Sequence, residues 1–433
     1  PMVLRPGNTA EVAAIVRLAI ETGTALVPQG GNTGLVGAQI PFESGHEIVV
    51  SMGRMNQIRS IDIDNNTLIA EAGTILQTIQ NTASEANRLF PLSLGSEGTC
   101  QIGGNLSTNA GGTGVLSYGN ARDMVLGLEV VLGTGEIWDG LRTLRKDNTG
   151  YDLKHLFIGA EGTLGFITAA ALKLFPKPRS VEVAFIGVES PEQAVDLFHF
   201  LSAREGRGVT GFEIIPRIGM DFVLRHLDAA RDPFTQPHPW YILFEASSGD
   251  MPDRHRPRIE AVLADALEAE LATDAILANS GTQAADFWKL RTLLSEIQKL
   301  EGGSIKHDVS VPVSKIPLFL NRAGTAVEEL IPGARPVPFG HIGDGNIHYN
   351  VSQPISADRE EFLDRWEEVN SAVHAIVAGL GGSISAEHGI GRLKRDLLPD
   401  FKSQIEMDMM RRLKKTFDPH NILNPNKLLP LVE

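Results

Sequence analysis

Pro28-Gln29-Gly30-Gly31-Asn32-Thr33-Gly34-Leu35-Val36-Gly37 is the stretch whose reading decides the fold, because its glycines leave backbone amides uncovered. A second stretch of the same kind opens with Pro91-Leu92-Ser93-Leu94-Gly95-Ser96. It continues through Ile102-Gly103-Gly104-Asn105-Leu106-Ser107-Thr108-Asn109-Ala110-Gly111-Gly112 to Tyr118-Gly119. Glycine lets N–H groups converge on an anion without interference from Cβ, which is how loops cradle a pyrophosphate. Neither stretch has the G-x-x-x-x-G-K-[ST] spacing of a nucleoside triphosphate loop or the G-x-G-x-x-G turn of a Rossmann unit. Nucleoside triphosphates and nicotinamide thus have no specific support, and a large dinucleotide would use both stretches.

Working outward, residues 1–176 are glycine-rich and apolar. Short strand runs such as Glu47–Ser51 and Val125–Leu132 alternate with helices such as Thr9–Thr22, where Asn8 can cap and Val12, Ile15, Val16, Leu18 and Ala19 form an apolar stripe. The texture changes at Phe175-Pro176-Lys177-Pro178. Beyond it, helices are predicted over Pro191–Arg204, Asp253–Leu271, Thr282–Leu300 and Arg359–Leu380, with strands over Val181–Val188, Trp240–Ala246 and Lys306–Val313. That pattern suits a second α+β domain, an antiparallel sheet with helices on one face. The division expected is 1–176, 177–385, and a C-terminal segment 386–433.

The chain has 433 residues, 42% of them hydrophobic, enough for two or three domains. A formal charge of −14 argues against nucleic acid or an anionic membrane surface as the main partner. The single cysteine, Cys100, excludes an intrachain disulfide and points to a reducing compartment, read as the cytoplasm. No apolar run is long enough to span a bilayer. Strand-like sequence at the very start suggests that a further N-terminal segment precedes Pro1.

The polar chemistry gathers late in the chain. In Gly340-His341-Ile342-Gly343-Asp344-Gly345-Asn346-Ile347-His348-Tyr349-Asn350, strand alternation puts Asn346, His348 and Asn350 on one face. Glycines between His341 and His348 let the backbone fold back, so both imidazoles can reach one divalent metal. Glu387-His388, within Ser385-Ala386-Glu387-His388-Gly389, can add a carboxylate and another imidazole. On the helix Thr282–Leu300, Arg291 and Ser295 share a face opposite Leu290, Leu293, Leu294 and Ile297. In the strand that follows, Lys306, Asp308 and Ser310 lie on one side and Ile305, His307 and Val309 on the other.

Taken together with Gly159-Ala160-Glu161-Gly162-Thr163-Leu164-Gly165 and Asn424-Pro425-Asn426-Lys427, these elements resemble the FAD-linked D-2-hydroxyacid dehydrogenases of the vanillyl-alcohol-oxidase flavoprotein superfamily. The likeness runs in order along nearly the whole chain. It implies an α+β, two-lobed FAD-binding domain with an α+β cap domain and a C-terminal segment that returns to the FAD domain. FAD contacts would fall on Pro28, Gly30, Gly31, Asn32, Thr33, Gly34 and Gly37, and on Pro91, Gly95, Ser96, Gly103, Gly104, Ser107, Asn109, Gly111, Tyr118 and Gly119. Gly162, Ile167 and Asn424 complete that set. Some relatives attach the flavin through a histidine near the first loop; this loop has none, so noncovalent FAD is expected.

By the same resemblance His341, His348 and Glu387 are ligands of a zinc-like divalent ion, and His388 is the base that takes the hydroxyl proton. Asn350, Arg291, Ser295 and Lys306 would bind substrate beside His388, although Ser295 stands where the family carries Thr. The implied reaction is oxidation of a D-2-hydroxy acid by hydride transfer to flavin N5. The Arg and Lys favour D-2-hydroxyglutarate. D-lactate or glycolate oxidation is the alternative, followed by a noncatalytic flavin subunit of an oxidase complex. The electron acceptor would be a quinone or an electron-transfer flavoprotein, a homodimer is left open, and the compartment becomes the mitochondrial matrix in a eukaryote.

Overall fold

A computed structural model describes residues 2–430, in two compact units. Residues 2–114, 118–177 and 387–430 form the first; residues 115–117 and 178–386 form the second.

The first unit begins with the helix Thr9–Thr22. Asn8, extended at φ −160°, accepts from the Glu11 amide at 2.9 Å, and the turn closes at Gly23 with φ 64°. Val12, Ala13, Val16 and Ala19 are buried and face the core, whereas Ile15 is half-buried and Leu18, expected in the same stripe, is exposed because it lies off that face. The helix crosses back to the strand Ala25–Gln29, which pairs in parallel with Glu47–Ser51, itself parallel to Val3–Leu4. The glycine loop thus leaves the C-terminal end of a parallel strand. The C-terminal segment runs along that strand: the Leu26 amide donates to Ile422 O and the Asn424 amide to Leu26 O, both at 2.7 Å.

Beside this lies a five-stranded antiparallel sheet ordered Ile58–Asp62, Thr67–Glu71, Gly165–Lys173, Val125–Leu132, Ile137–Gly140. Its central strand, Gly165–Lys173, is buried at every position except Lys173, as expected of an unbroken apolar run. The short helix Ile102–Ser107 presses on this sheet. A Cβ on Gly103 would lie 2.7 Å from that of Ala72, so only glycine permits the approach.

The second unit is built on an eight-stranded sheet. Along the path Asp274–Leu277, Ser180–Val188, Trp240–Ser248, Val209–Pro216, Arg335–His341, Asn346–Ser352, Ser304–Ile305, every pairing is antiparallel, and Asp308–Ser310 also pairs with Asn346–Ser352. Helices cover both faces, not one. Ala184, Ile186, Phe212, Ile214, Ile242 and Phe244 join one core with Pro191–Glu205, Pro252–Glu268, Ile316–Leu330 and Trp366–Gly379. Val183, Phe185, Ile215, Tyr241 and Leu243 join another with Arg217–His226 and Gly281–Thr292. The signal was in the strands, whose consecutive apolar residues require burial on both sides.

Two expected helices are interrupted. Thr282–Leu300 resolves into Gly281–Thr292, Leu294–Ile297 and a 3₁₀ turn Gln298–Glu301; Arg359–Leu380 breaks at Arg365 into Arg359–Asp364 and Trp366–Gly379. The strand expected over Lys306–Val313 is the pair Ser304–Ile305 and Asp308–Ser310, unpaired at Lys306 and His307. Among the described residues no helix is long and apolar enough to cross a membrane.

Candidate functional site

In the first unit the two glycine stretches meet. Pro28, Gly30, Gly31, Asn32, Thr33 and Gly34 line one cleft together with Gly103, Gly104, Ser107, Gly162, Ile167 and Asn424. The helix Ile102–Ser107 presents Gly104 across from Gly30: a Cβ on Gly30 would lie 3.7 Å from the Gly104 amide nitrogen, and one on Gly104 would meet nothing within 4 Å. Three buried acceptors in this lining, Gln101 Oε1, Asn105 Oδ1 and Asn424 Oδ1, have no hydrogen-bond partner. Buried polar atoms left so are costly, and the hydroxyls and amino group of a dinucleotide are the donors they lack. The cleft therefore fits FAD in backbone access and in donor demand.

The other expected contacts lie outside this lining. Asn109, at φ 51°, accepts from the Arg122 amide at 2.9 Å, and Tyr118 packs edge-on against Phe175 with ring centroids 4.8 Å apart. A Cβ on Gly119, at φ 79°, would run into Asp123, and one on Gly37, at φ 75°, into Arg392. Pro91, Gly95 and Ser96 also lie off the cleft.

Gly111 meets another part of the expected site. Glu387 Oε1 accepts from the Gly112 amide at 2.7 Å, and a Cβ on Gly111 would sit 2.5 Å from that oxygen. Three residues on, the Glu161 carboxylate accepts from the amides of Ile390 and Gly391, each at 2.7 Å. Glu387-His388 is thus held from both sides by backbone-to-carboxylate bonds. Burial pushes the Glu161 carboxyl up to about 7 against the pull of those two amides. Glu161 itself has φ 50°, and its carbonyl accepts from Asn424 Nδ2 at 2.8 Å.

In the second unit, Phe339 pairs with His348 across the Arg335–His341 and Asn346–Ser352 strands, and the turn between them passes Gly345 at φ 90°. The rings of His341 and His348 stand 5.9 Å apart, centroid to centroid. His348 Nδ1 is 3.8 Å from Asp308 Oδ1, which accepts from Asn346 Nδ2 at 2.9 Å. Asn350 points its Nδ2 at Gln298 Oε1, 2.7 Å away, so one of its two amide N–H groups is committed within the protein.

Arg291 is not a free surface cation. It is 8% exposed, its Nε donates to Glu213 Oε2 at 2.6 Å, and its guanidinium lies 4.7 Å over the Phe339 ring. Lys306 is exposed, with Nζ 3.5 Å from the Ser295 carbonyl. Burial and the neighbouring Lys299 charge hold its amine below the usual lysine range, with Glu296 opposing them.

Glu213 is the residue that sequence reasoning missed. Fully buried in the strand Val209–Pro216, it places Oε1 2.8 Å from His341 Nδ1 and Oε2 on Arg291. Burial would raise its carboxyl, but Arg291 and His341 beside it outweigh this and hold it well below the usual carboxylate range. The signal available was a lone carboxylate inside Phe212-Glu213-Ile214-Ile215, a position where a charge persists only with partners.

Residues 177–428 match the C-terminal domain of FAD linked oxidases, and residues 1–140 match an FAD binding domain. A mitochondrial D-2-hydroxyglutarate dehydrogenase of Arabidopsis thaliana is 39% identical over 434 residues, 99% of this chain and 75% of the relative. A D-2-hydroxyglutarate dehydrogenase of Xanthomonas citri is 36% identical over 98% of this chain and 88% of its own. A putative mitochondrial D-lactate dehydrogenase of Schizosaccharomyces pombe is 36% identical over 98% and 81%. Among solved structures, p-cresol methylhydroxylase superposes with a TM-score of 0.77 at 15% identity, covering 99% of this chain and 88% of that one. Alkyldihydroxyacetonephosphate synthase does so with 0.73 at 21%, covering 98% and 77%. With this cleft and matches across both units, the chain belongs to the FAD-linked oxidase family, among the relatives of the D-2-hydroxyglutarate dehydrogenases.

Proposed function

We propose that this protein oxidises a D-2-hydroxy acid to the 2-oxo acid, using noncovalent FAD and a divalent metal, with D-2-hydroxyglutarate and 2-oxoglutarate as the substrate pair. The observation that carries the reading is the polar face of the second unit, where His341 stands beside His348 and shares the buried Glu213 carboxylate with Arg291. FAD supplies the acceptor for the C2 hydride. A divalent ion, zinc in this reading, would be held by His341, His348 and Glu387 and would acidify the substrate hydroxyl. His388 takes the hydroxyl proton as the hydride leaves, which balances the oxidation. Arg291, Ser295 and Lys306 bind carboxylate: an unpaired anion is costly to desolvate, so a dicarboxylate needs more than one cation. Arg291 suits this because Glu213 engages only its Nε, and no protein group among the described residues bonds Nη1 or Nη2. Asn350 gives one amide N–H to Gln298 and has the second to donate to a substrate carboxylate oxygen.

A second reading, D-lactate or glycolate as substrate, is favoured by the fission-yeast relative. A noncatalytic flavin subunit would be expected to have lost ligands or base, and His341, His348, Glu387 and His388 are all present. In this reading the electrons would leave to a quinone or an electron-transfer flavoprotein, the compartment is the cytoplasm or, in a eukaryote, the mitochondrial matrix, and a homodimer is left open. His348→Ala should lose metal and turnover while retaining FAD. Unchanged metal per flavin in that variant, measured by elemental analysis, would remove His348 from the ligand set.

A further inference from the structure

We propose that Glu213 is a positioning residue for this site, one carboxylate that sets both the ring orientation of His341 and the guanidinium plane of Arg291. The inference rests on the reading of His341 as a metal ligand and Arg291 as a carboxylate binder, and adds a residue that touches neither metal nor substrate.

Three observations carry it. Glu213 is 0% exposed, at the centre of a strand buried at every residue, where an ionised group needs full compensation. Its two oxygens are divided: Oε2 takes the Arg291 Nε–H at 2.6 Å, and Oε1 lies 2.8 Å from His341 Nδ1. Among the described residues no other donor reaches Oε1. An ion pair serving stability alone would gain most from the two parallel bonds of the arginine fork. Glu213 forgoes that geometry.

The division has chemical consequences at both ends. A carboxylate facing Nδ1 keeps the proton on that nitrogen, so the imidazole lone pair sits on Nε2, the form a metal ligand requires. The Nε bond to Glu213 and the Phe339 ring beneath the guanidinium together fix the plane of Arg291. Its two Nη groups are then directed as a pair, the edge that matches a carboxylate. Glu213 pairs through its strand with the other half of the arrangement as well, since Glu213 lies opposite His341 in the sheet register. The two side chains are therefore carried on adjacent strands in fixed register.

The amide of Glu213→Gln has one acceptor where two are needed, so either His341 or Arg291 faces a donor. Glu213→Asp keeps the charge but is a methylene too short to reach both. In holoprotein stripped of metal by chelation and retitrated with Co2+ or Zn2+ alone, Glu213→Gln should bind 10- to 100-fold more weakly than wild type, the usual scale for losing such a partner. KM for D-2-hydroxyglutarate should rise about tenfold or more, with FAD content unchanged. Glu213→Asp should move both quantities in the same direction, which separates positioning from loss of charge. Metal affinity and KM both within threefold of wild type in Glu213→Gln overturn the proposal. If the glutamine variant does not fold, wild-type values in Glu213→Asp overturn it equally. Failure of wild type itself to bind either metal would instead overturn the metal reading, and with it the His341 half of the inference, leaving the KM comparison to decide the Arg291 half.

Discussion

Gly104→Leu separates a glycine that admits the flavin from one that lets the chain pack. A Cβ at Gly104 would meet nothing within 4 Å, on a helix whose backbone a leucine adopts readily, so the substitution does not strain the fold. Replacing a helical glycine by leucine should contribute up to about 0.8 kcal/mol to the apoprotein. The added side chain enters the cleft lined by Gly30, Gly31 and Gly104. Four carbons there displace ligand contacts worth about 0.8 kcal/mol per methylene, or about 3 kcal/mol in all. The FAD dissociation constant should therefore rise at least about 100-fold. Gly103→Ala is the contrast: its Cβ would lie 2.7 Å from that of Ala72 and 3.0 Å from Ala72 O, so the cost is overpacking. That should destabilise the apoprotein by about 1–3 kcal/mol. Flavin-fluorescence titration of the apoproteins, with their thermal melts, reads both effects. Wild-type FAD affinity in Gly104→Leu, or a melting loss in it equal to that of Gly103→Ala, would refute the assignment of the cleft.

Three further outcomes follow from the site. Lys306→Met should lower kcat/KM for D-2-hydroxyglutarate by about 2 kcal/mol, roughly 30-fold, for a lost charge-assisted contact. D-lactate turnover should change little, and an equal loss on both substrates would contradict the dicarboxylate reading. His388→Ala should slow flavin reduction by about 100-fold or more in stopped flow at saturating substrate, and a rate near wild type removes the base from the mechanism. Because Glu161 is raised to about 7, the folded state binds more protons than the unfolded state between about pH 4.5 and 7. Ionisation of this carboxyl should thus withdraw about 3 kcal/mol of stability as pH rises through that window. Melts of wild type and Glu161→Gln across the window should diverge in that direction, and a difference independent of pH would show that Glu161 titrates normally.

What could be read in the sequence was whatever local periodicity dictates. The helix Thr9–Thr22, its Asn8 cap and the strands Glu47–Ser51 and Val125–Leu132 appear with the bounds that spacing gives. Glycine loops announced a dinucleotide cleft, yet their individual roles depend on what lies opposite. Gly104 faces open space, whereas Gly30 lies against Gln101 and Gly111 yields to Glu387, 276 residues further along the chain by its numbering. The break in the helix carrying Arg291 was hidden because Leu293 keeps helical dihedrals and lies within an apolar stripe. Glu213 escaped for a related reason. Its partners Arg291 and His341 are distant in sequence, and only the sheet register brings a strand residue opposite a residue of another strand.

The central claim is that the flavin of this protein takes a hydride from a D-2-hydroxy acid. Anaerobic mixing of the FAD-loaded protein with D- and L-2-hydroxyglutarate, D- and L-lactate and glycolate, following the visible flavin band, tests it directly. The account predicts rapid bleaching by D-2-hydroxyglutarate, slower bleaching by D-lactate, and none by the L enantiomers. A band that persists with every D-2-hydroxy acid, or bleaches equally with both hands, would contradict it.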